Sequence, residues 1–472
     1  MAYSINTEPL LKEDSDDDLE NEADTDTDDL AIVHSHDEPF LKHQLPYDRY
    51  NLAYIVFYLL GINALIPWSF FITADDYWMY KFRPIKSNES HSLSFSHFEN
   101  AENRTDLQAS FTSYVSISSA IPNTGFLIIN TFISKRISLS TRMIGSQCLV
   151  LVVFILTTSF ARVNTDNYQY TFLTITLICV ALVNAASAIF GGSLLGIVGR
   201  FSPKYITAMS AGQALGGIFA ALTEILSLWI GASPIISGLL YFIIGDCILL
   251  LSLIAYVILE REVFFKHHVF IKTENEREVN FSHDNEINFF GENISYLRIF
   301  KRTWQYGLSI FLIFFITMIV YPSVTVLIES HSKGQGHHWN DIYFVPVVTY
   351  LLFSCGDYLG RILSGFFKWP KDNPWLIILL SLSRIVFIPL FLVCNAQPRR
   401  RLPVYIHDDI YYITLTILFA ISNGYLCNIV FMIAPTIVEQ REKEVASAML
   451  GAFLGIGVSV GSLISLLMVK IL

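Results

Sequence analysis

Along this chain the polar residues retreat to short connections, and between them stand apolar runs long enough to cross a hydrocarbon layer. A bilayer core of roughly 30 Å asks for about 20 predominantly apolar residues in one helix. Bounded by charges or by Pro and Gly, such runs occur at 51–74, 110–134, 143–162, 171–199, 205–231, 235–259, 303–328, 341–367, 374–395, 410–437 and 444–470. The pattern predicts an all-α polytopic membrane protein with 11 transmembrane helices, its termini on opposite sides. The longest polar interval between runs, 260–302, divides them into a 6+5 arrangement: an N-terminal lobe 46–259, a linker 260–302 and a C-terminal lobe 303–472.

Composition agrees with a lipid environment. Apolar residues make up 53% of the chain and charged ones 15%, where an ordinary soluble domain carries about 25% charged. The net charge of −10 is concentrated at the start: residues 1–50 hold fifteen Asp or Glu against three Lys or Arg. A block such as "EDSDDDLENEADTDTDD" cannot bury enough apolar surface to offset chain entropy, so residues 1–45 read as a disordered acidic tail. No basic start with an apolar core precedes it, so no cleavable signal peptide is expected. The six cysteines, Cys148, Cys179, Cys247, Cys355, Cys394 and Cys427, all fall in apolar stretches without a CxxC spacing. They read as buried fillers, and neither a disulfide framework nor a metal site is expected.

Basic residues in the connections set the orientation. With the N-terminus cytoplasmic, eighteen Lys or Arg lie inside and ten outside; the run Arg399, Arg400 and Arg401 goes against the rule. The first outer loop, 75–109, holds two N-glycosylation acceptors, Asn88-Glu-Ser90 and Asn103-Arg-Thr105, on the side where glycans are added. Asn293-Ile-Ser295 falls in the inner linker, where it is expected to stay bare.

Polar groups at bilayer depth are costly and are kept to line a cavity or to pair with one another. Asp357 and Arg361 stand four apart in "CGDYLGR", on one helical face. Two readings are open: a polar site for a hydroxylated substrate, or a structural ion pair. Span one holds Asn63, then "PWSFF" at 67–71, where Pro67 is expected to bend or loosen the helix and Trp68 offers either a stacking face for a planar base or an interfacial anchor. Gly191, Gly192, Gly196, Gly199, Gly212, Gly216 and Gly217 read as close-packing positions, and Gln213 as a ligand group or an interhelical hydrogen bond. Glu224 and Asp246 have no partner obvious from sequence and are candidates for proton sensitivity. Arg384 reads as a snorkelling residue near the cytoplasmic end of span nine. The spans lack HExxH and GxSxG, and no GxxxxGK[ST] is present to couple ATP hydrolysis, so an enzyme or primary pump is not expected and no cofactor is called for.

With these features in place, the chain resembles the equilibrative nucleoside transporter family of solute carriers from "PYDRYN" at 46–51 to the C-terminus. The resemblance rests on "PWSFFITADDYW" at 67–78, "GSLLGIVGRFSPKYITAMSAGQALGG" at 192–217, "DYLGR" at 357–361, "RIVFIPLFLVCNAQPR" at 384–399 and "SNGYL" at 422–426. It implies a major-facilitator-like fold with the substrate at the midplane, and facilitative transport of purine and pyrimidine nucleosides, with nucleobases as further cargo. Carried over, Leu65 and Trp68 correspond to pocket-lining positions and Asp357 and Arg361 to the pair expected to engage ribose hydroxyls. Gln213 is kept as a further substrate-binding candidate. The basic outer run at 399–401 is also similar to that of the family. Two departures stand out: Ser69 where members usually show Asn, and Gly191 where the best-known plasma-membrane members have a Gln associated with the nucleobase.

"ITADDYWMYKFR" and "YPSVTVLIES" are more similar to the endo-lysosomal branch, so the plasma membrane and the late endosome or lysosome are both open. The tail offers "EPLL" at 8–11 as a sorting-adaptor signal, and Ser15, Thr25 and Thr27 as sites for an acid-directed kinase. Nucleosides and the bilayer are the expected partners, with no nucleic acid. The rivals are a proton-linked nucleoside or organic-cation carrier of the same architecture, motivated by Glu224 and Asp246, and a receptor that binds nucleoside without moving it.

Overall fold

The structure is a computed structural model that describes residues 46–73, 75–83, 106–133, 136–230, 234–271, 295–370, 373–397, 399, 401–440 and 442–472. The acidic tail with its sorting and kinase sites, the acceptors Asn88, Asn103 and Asn293, and most of the linker lie outside the described residues.

The chain runs α1 Leu52–Thr73, α2 Asp75–Lys81, α3 Asp106–Ile133, α4 Leu139–Ala161, α5 Gln169–Val198, α6 Pro203–Ile230 and α7 Pro234–Arg261. After the linker follow α8 Tyr296–Val320, α9 Leu352–Phe366, α10 Pro374–Ser383, α11 Phe387–Leu392, α12 Asp409–Ile433 and α13 Lys443–Ile471. A wider helical stretch, Val345–Leu351, leads into α9, and a 3₁₀ turn, Arg384–Val386, joins α10 to α11. Among the described residues the β-structure is two isolated bridges, Ile328 with Ala396 and Cys394 with Ile406, which tie the connections near one end of the second half.

Several boundaries follow from capping. Ser138 accepts from the Thr141 amide at 3.2 Å and starts α4 at Leu139, ahead of the expected 143. Ser295 accepts from the Arg298 amide at 3.4 Å and starts α8 at Tyr296, inside what the hydropathy pattern assigns to the linker. Pro67 leaves α1 unbroken: the helix continues through it to Thr73.

Among the described residues, nine helical segments are long and apolar enough to cross a membrane by length and composition. The expected spans 110–134 and 341–367 are helical as well, as α3 and as the 15-residue α9 with its wider lead-in. Their polar residues face protein: Ser119, Asn130 and Thr131 of α3 and Asp357 and Arg361 of α9 are all buried.

Small residues set the helix contacts, as expected where lipid removes the hydrophobic drive between helices. A Cβ on Gly216 of α6 would stand 2.9 Å from the Ile62 carbonyl of α1, and one on Gly457 of α13 would stand 2.6 Å from the Phe311 carbonyl of α8. The apolar core is shared unevenly. At the end of the bundle holding the start of α1 and the end of α12, one cluster joins Phe57, Met143, Phe201 and Met209 of the first half to Ile310, Ile313, Cys427 and Val430 of the second. Toward the other end the clusters separate, one built from first-half residues around Phe71, Phe154 and Phe242, the other from second-half residues around Ile316, Phe353 and Phe419. The apolar core of the two halves is therefore shared at one end, the fused end, and divided at the other, where α6 still packs against the Val345–Leu351 lead-in.

Candidate functional site

Asp357 and Arg361 lie one helical turn apart on α9, and the Arg361 Nε donates to Asp357 Oδ2 at 2.8 Å. Both are buried, at 5% and 6% exposure, so the pair has little water to rely on and its remaining donors and acceptors need protein partners. Those partners come from two directions.

From the second half, Asn423 of α12 donates its Nδ2 to Asp357 Oδ1 at 2.7 Å and accepts the Thr317 hydroxyl of α8 at 2.8 Å. The Thr317 oxygen in turn accepts from Arg384 Nη2 at 3.0 Å. Arg384 also donates to the Ile313 carbonyl at 2.9 Å and to the Ser422 hydroxyl at 3.1 Å, and its guanidinium lies 4.7 Å from the Phe419 ring centroid. The expectation that Arg384 snorkels is overturned: at 2% exposure it is buried among α8, α11 and α12. The 3₁₀ turn between α10 and α11 carries the residue, and the bundle supplies enough acceptors for the guanidinium to stay inside.

From the first half, α6 reaches the pair directly. Arg361 Nη1 donates to the Ser210 carbonyl at 2.9 Å, the Ser210 hydroxyl at 2.8 Å and Gln213 Oε1 at 3.1 Å. Gln213 thus makes the interhelical bond that its sequence position left undecided. One residue from Asp357, the Tyr358 hydroxyl accepts from the Tyr58 hydroxyl of α1 at 2.7 Å. Two first-half helices therefore hold α9 at the level of the pair. The Arg361 Nη2 makes no hydrogen bond among the described residues.

The other candidates sit at different distances from this network. Leu65 of α1 lies beside Gly217 of α6, where a Cβ would stand 3.9 Å from its Cδ2 and 2.8 Å from the Ser354 hydroxyl of α9, one turn before Asp357. Trp68 is half-buried against the first-half cluster that holds Ile66 and Phe70. Asn63 joins helices within the first half, donating to Gln147 of α4 at 3.1 Å and Ser252 of α7 at 2.8 Å. Asp246 of α7 accepts the Thr158 hydroxyl of α4 at 2.7 Å and so belongs to the first half's own packing. Glu224 of α6 lies, with Asp357, within electrostatic reach of Tyr321 at the end of α8. The structure does not bring Asp246 or Trp68 into hydrogen-bond contact with the Asp357 and Arg361 pair.

The glycines of α5 divide. A Cβ on Gly192 would stand 2.6 Å from Asn130 Nδ2 and one on Gly196 would stand 2.9 Å from Glu444 Cγ, which are close-packing positions as expected. Gly191 departs from that expectation, because a Cβ there meets nothing within 4 Å and points into open space.

A second polar cluster closes the fused end. Glu444 at the start of α13 accepts from Arg142 of α4 at 2.6 Å and pairs with Arg200 after α5, and Arg142 also donates to Ser193 at 3.0 Å. Arg298 pairs with the buried Glu442 beside it.

Asn423, Ser210, Tyr58 and Arg384 are the members of the network that the sequence reading missed. Each polar residue alone looks like a helix-packing hydrogen bond, and only the crossing of α6, α8, α9 and α12 puts them together. The motif "SNGYL" at 422–426 was the available signal for Asn423.

Comparison with known proteins gives this arrangement its context. The family described as nucleoside transporter matches residues 177–470. The chain is 32% identical over 457 residues to equilibrative nucleoside transporter 2 of Homo sapiens, covering 89% of this chain and 98% of that protein. It is 31% identical over 430 residues to equilibrative nucleoside transporter 3 of Rattus norvegicus, covering 89% of each. Among solved structures, the E. coli fucose:proton symporter FucP aligns over 89% of this chain and 97% of its own with a TM-score of 0.48 and 11% identity. By the span of the family match and by sequence identity over nearly the whole chain, this protein belongs to the equilibrative nucleoside transporter family.

Proposed function

We propose that this chain carries purine and pyrimidine nucleosides, with nucleobases as further cargo, down their gradients across a membrane by alternating access. The observation that carries this reading is the buried Asp357 and Arg361 pair, suspended between helices of both halves in a chain of this family. A carboxylate accepts and a guanidinium donates, which together match the vicinal hydroxyls of a ribose. The free Arg361 Nη2 supplies donors for that purpose, and Leu65 and Trp68 supply apolar surface for the base.

The lobes 46–259 and 303–472 form a major-facilitator-like 6+5 arrangement and rock about the site, with 260–302 as the linker between them. The N-terminus is cytoplasmic and the C-terminus outside or lumenal, supported by the balance of Lys and Arg and by the acceptors Asn88 and Asn103 in the first outer loop. The fused end, with Glu444, is then the cytoplasmic end. The plasma membrane is the proposed residence.

The test is counterflow of labelled uridine and adenosine in proteoliposomes of the purified chain, at neutral and at mildly acidic pH, without an ion gradient. Accumulation driven by unlabelled nucleoside at both pH values is expected, and Asp357→Ala and Arg361→Ala are expected to abolish it. Flux that requires a proton gradient would replace this reading with the proton-linked one. Binding without flux would replace it with a receptor.

A further inference from the structure

We infer that Ser210, Gln213 and Tyr58 are positioning residues that latch the substrate-binding pair to the opposite half, and that bound nucleoside loosens this latch. The inference rests on the nucleoside-carrier reading for its ligand, and on geometry for everything else.

The binding pair of α9 belongs to the second half, yet the Arg361 Nη1 is committed to α6 of the first half through three acceptors at 2.8 to 3.1 Å. The neighbouring Tyr358 is tied to α1 by a hydroxyl pair at 2.7 Å. Both ties cross between the halves near the end where the apolar core is shared. Toward the other end the apolar clusters no longer mix, although α6 still packs there against the Val345–Leu351 lead-in to α9. For the fused end to open, α1 and α6 must leave α9, and the bonds of Arg361 and Tyr358 to them must break.

A nucleoside at Asp357 and Arg361 competes for the same guanidinium. Ribose oxygens that accept from the free Nη2 pull the guanidinium toward themselves and away from the acceptors of Nη1, Ser210 and Gln213, so substrate binding weakens the tie that opposes opening. Differential contact of this kind is what a ligand needs to shift a two-state equilibrium. Gln213 and Ser210 then act through Arg361 rather than on the substrate, and Tyr58 acts through Tyr358.

The sides of the membrane separate this role from ordinary substrate contact. Gln213→Leu and Tyr58→Phe each remove one cross-half bond with little change of shape. A net hydrogen bond lost from one state shifts the balance of empty conformers by about two- to tenfold. Apparent affinity scales with the fraction of carrier facing the substrate. Each variant is therefore expected to raise the uridine KM from the face opposite Glu444 and to lower it from the Glu444 face, the two factors together multiplying to about two- to tenfold. Equal rises from both faces would make Gln213 a substrate contact, and no change from either would remove these bonds from the switch; each result overturns the latch.

A second readout needs no substrate. Spin labels at the exposed Ile137 and Leu297, near the Glu444 end on opposite halves, report its opening in a chain whose Cys148, Cys247 and Cys355, exposed where the sequence reading expects buried fillers, are replaced. The substrate-free Gln213→Leu and Tyr58→Phe proteins are expected to gain a longer-distance population that uridine also produces in the unsubstituted chain. Unchanged distances in both variants would overturn the latch, whereas absence of nucleoside flux in the unsubstituted chain would overturn the carrier reading instead.

Discussion

Asn423 fixes the orientation of Asp357 from the neighbouring helix, with Nδ2 and Oδ1 2.7 Å apart, and is itself fixed because its own oxygen takes the Thr317 hydroxyl at 2.8 Å. The amide has one donor side and one acceptor side, and each faces the group that needs it. The carboxylate is thereby held with one oxygen toward Asn423 and the other toward Arg361. Replacing Asn423 by Leu leaves Asp357 Oδ1 buried without its donor, at a cost of about 1–3 kcal/mol. Uridine transport by Asn423→Leu is expected to show a KM roughly tenfold higher, with the chain still reaching the membrane. An unchanged KM, measured at matched surface expression, would remove Asn423 from the support of the pair.

Arg384 is the far anchor of the same chain of bonds. Its guanidinium joins α8, through the Ile313 carbonyl and Thr317, to α12, through Ser422 and the Phe419 ring. A single ammonium cannot reproduce that fork. Arg384→Leu strands several acceptors and is expected to lower stability by about 2–4 kcal/mol, with Arg384→Lys intermediate. Thermal unfolding in detergent checks the order; a lysine variant as stable as the unsubstituted chain would show that charge alone suffices there.

Gly191 offers a prediction of the opposite sign. Because a Cβ there meets nothing within 4 Å, a longer side chain enters open space instead of a neighbouring helix. Gly191→Gln is expected to fold and transport normally while changing the ratio of purine to pyrimidine uptake. Gly192→Ala next to it is expected to lose stability, since its Cβ would collide with Asn130. Parallel thermal-shift and competition assays on the two variants test the contrast; equal damage from both would show that the space at Gly191 is closed in the working protein.

Hydropathy made most of the fold legible because a lipid solvent demands long apolar helices with internally satisfied backbones. Buried polar residues such as Ser119 and Asn130 of α3 and Asp357 and Arg361 of α9 lower the hydropathy of spans whose polar positions face protein. The Asp357 and Arg361 pair was legible because four-residue spacing on one helix is a local property. Arg384, Asn423 and Ser210 were not, since their partners are 67, 66 and 151 positions away in sequence and no spacing rule joins them. Arg384 was misread because a cation near a span's end is ordinarily one that reaches for water. Here a 3₁₀ turn aims it inward instead.

Lys81 supplies a pH dependence whose sign can be derived. It lies beyond the first span at the end of α2, 3% exposed, with its Nζ donating to the Val163 carbonyl at 2.6 Å and standing 5.6 Å from the Tyr77 ring. Burial lowers its pKa from the ordinary 10.5, an effect that Asp166 partly offsets. Between the depressed folded value and 10.5 the unfolded chain binds more protons than the folded one, so stability rises with pH across that window. Below the window the folded protein carries the whole cost of a buried ammonium, and above it both states are neutral. Lys81→Met removes this titration without removing much volume. The thermal stability of the unsubstituted chain relative to Lys81→Met is therefore expected to improve as pH is raised from neutral toward 10.5, and to change little on acidification. A difference independent of pH would mean that the ammonium is as well solvated in the fold as in the open chain, and that the contacts to Val163 and Tyr77 do not confine it.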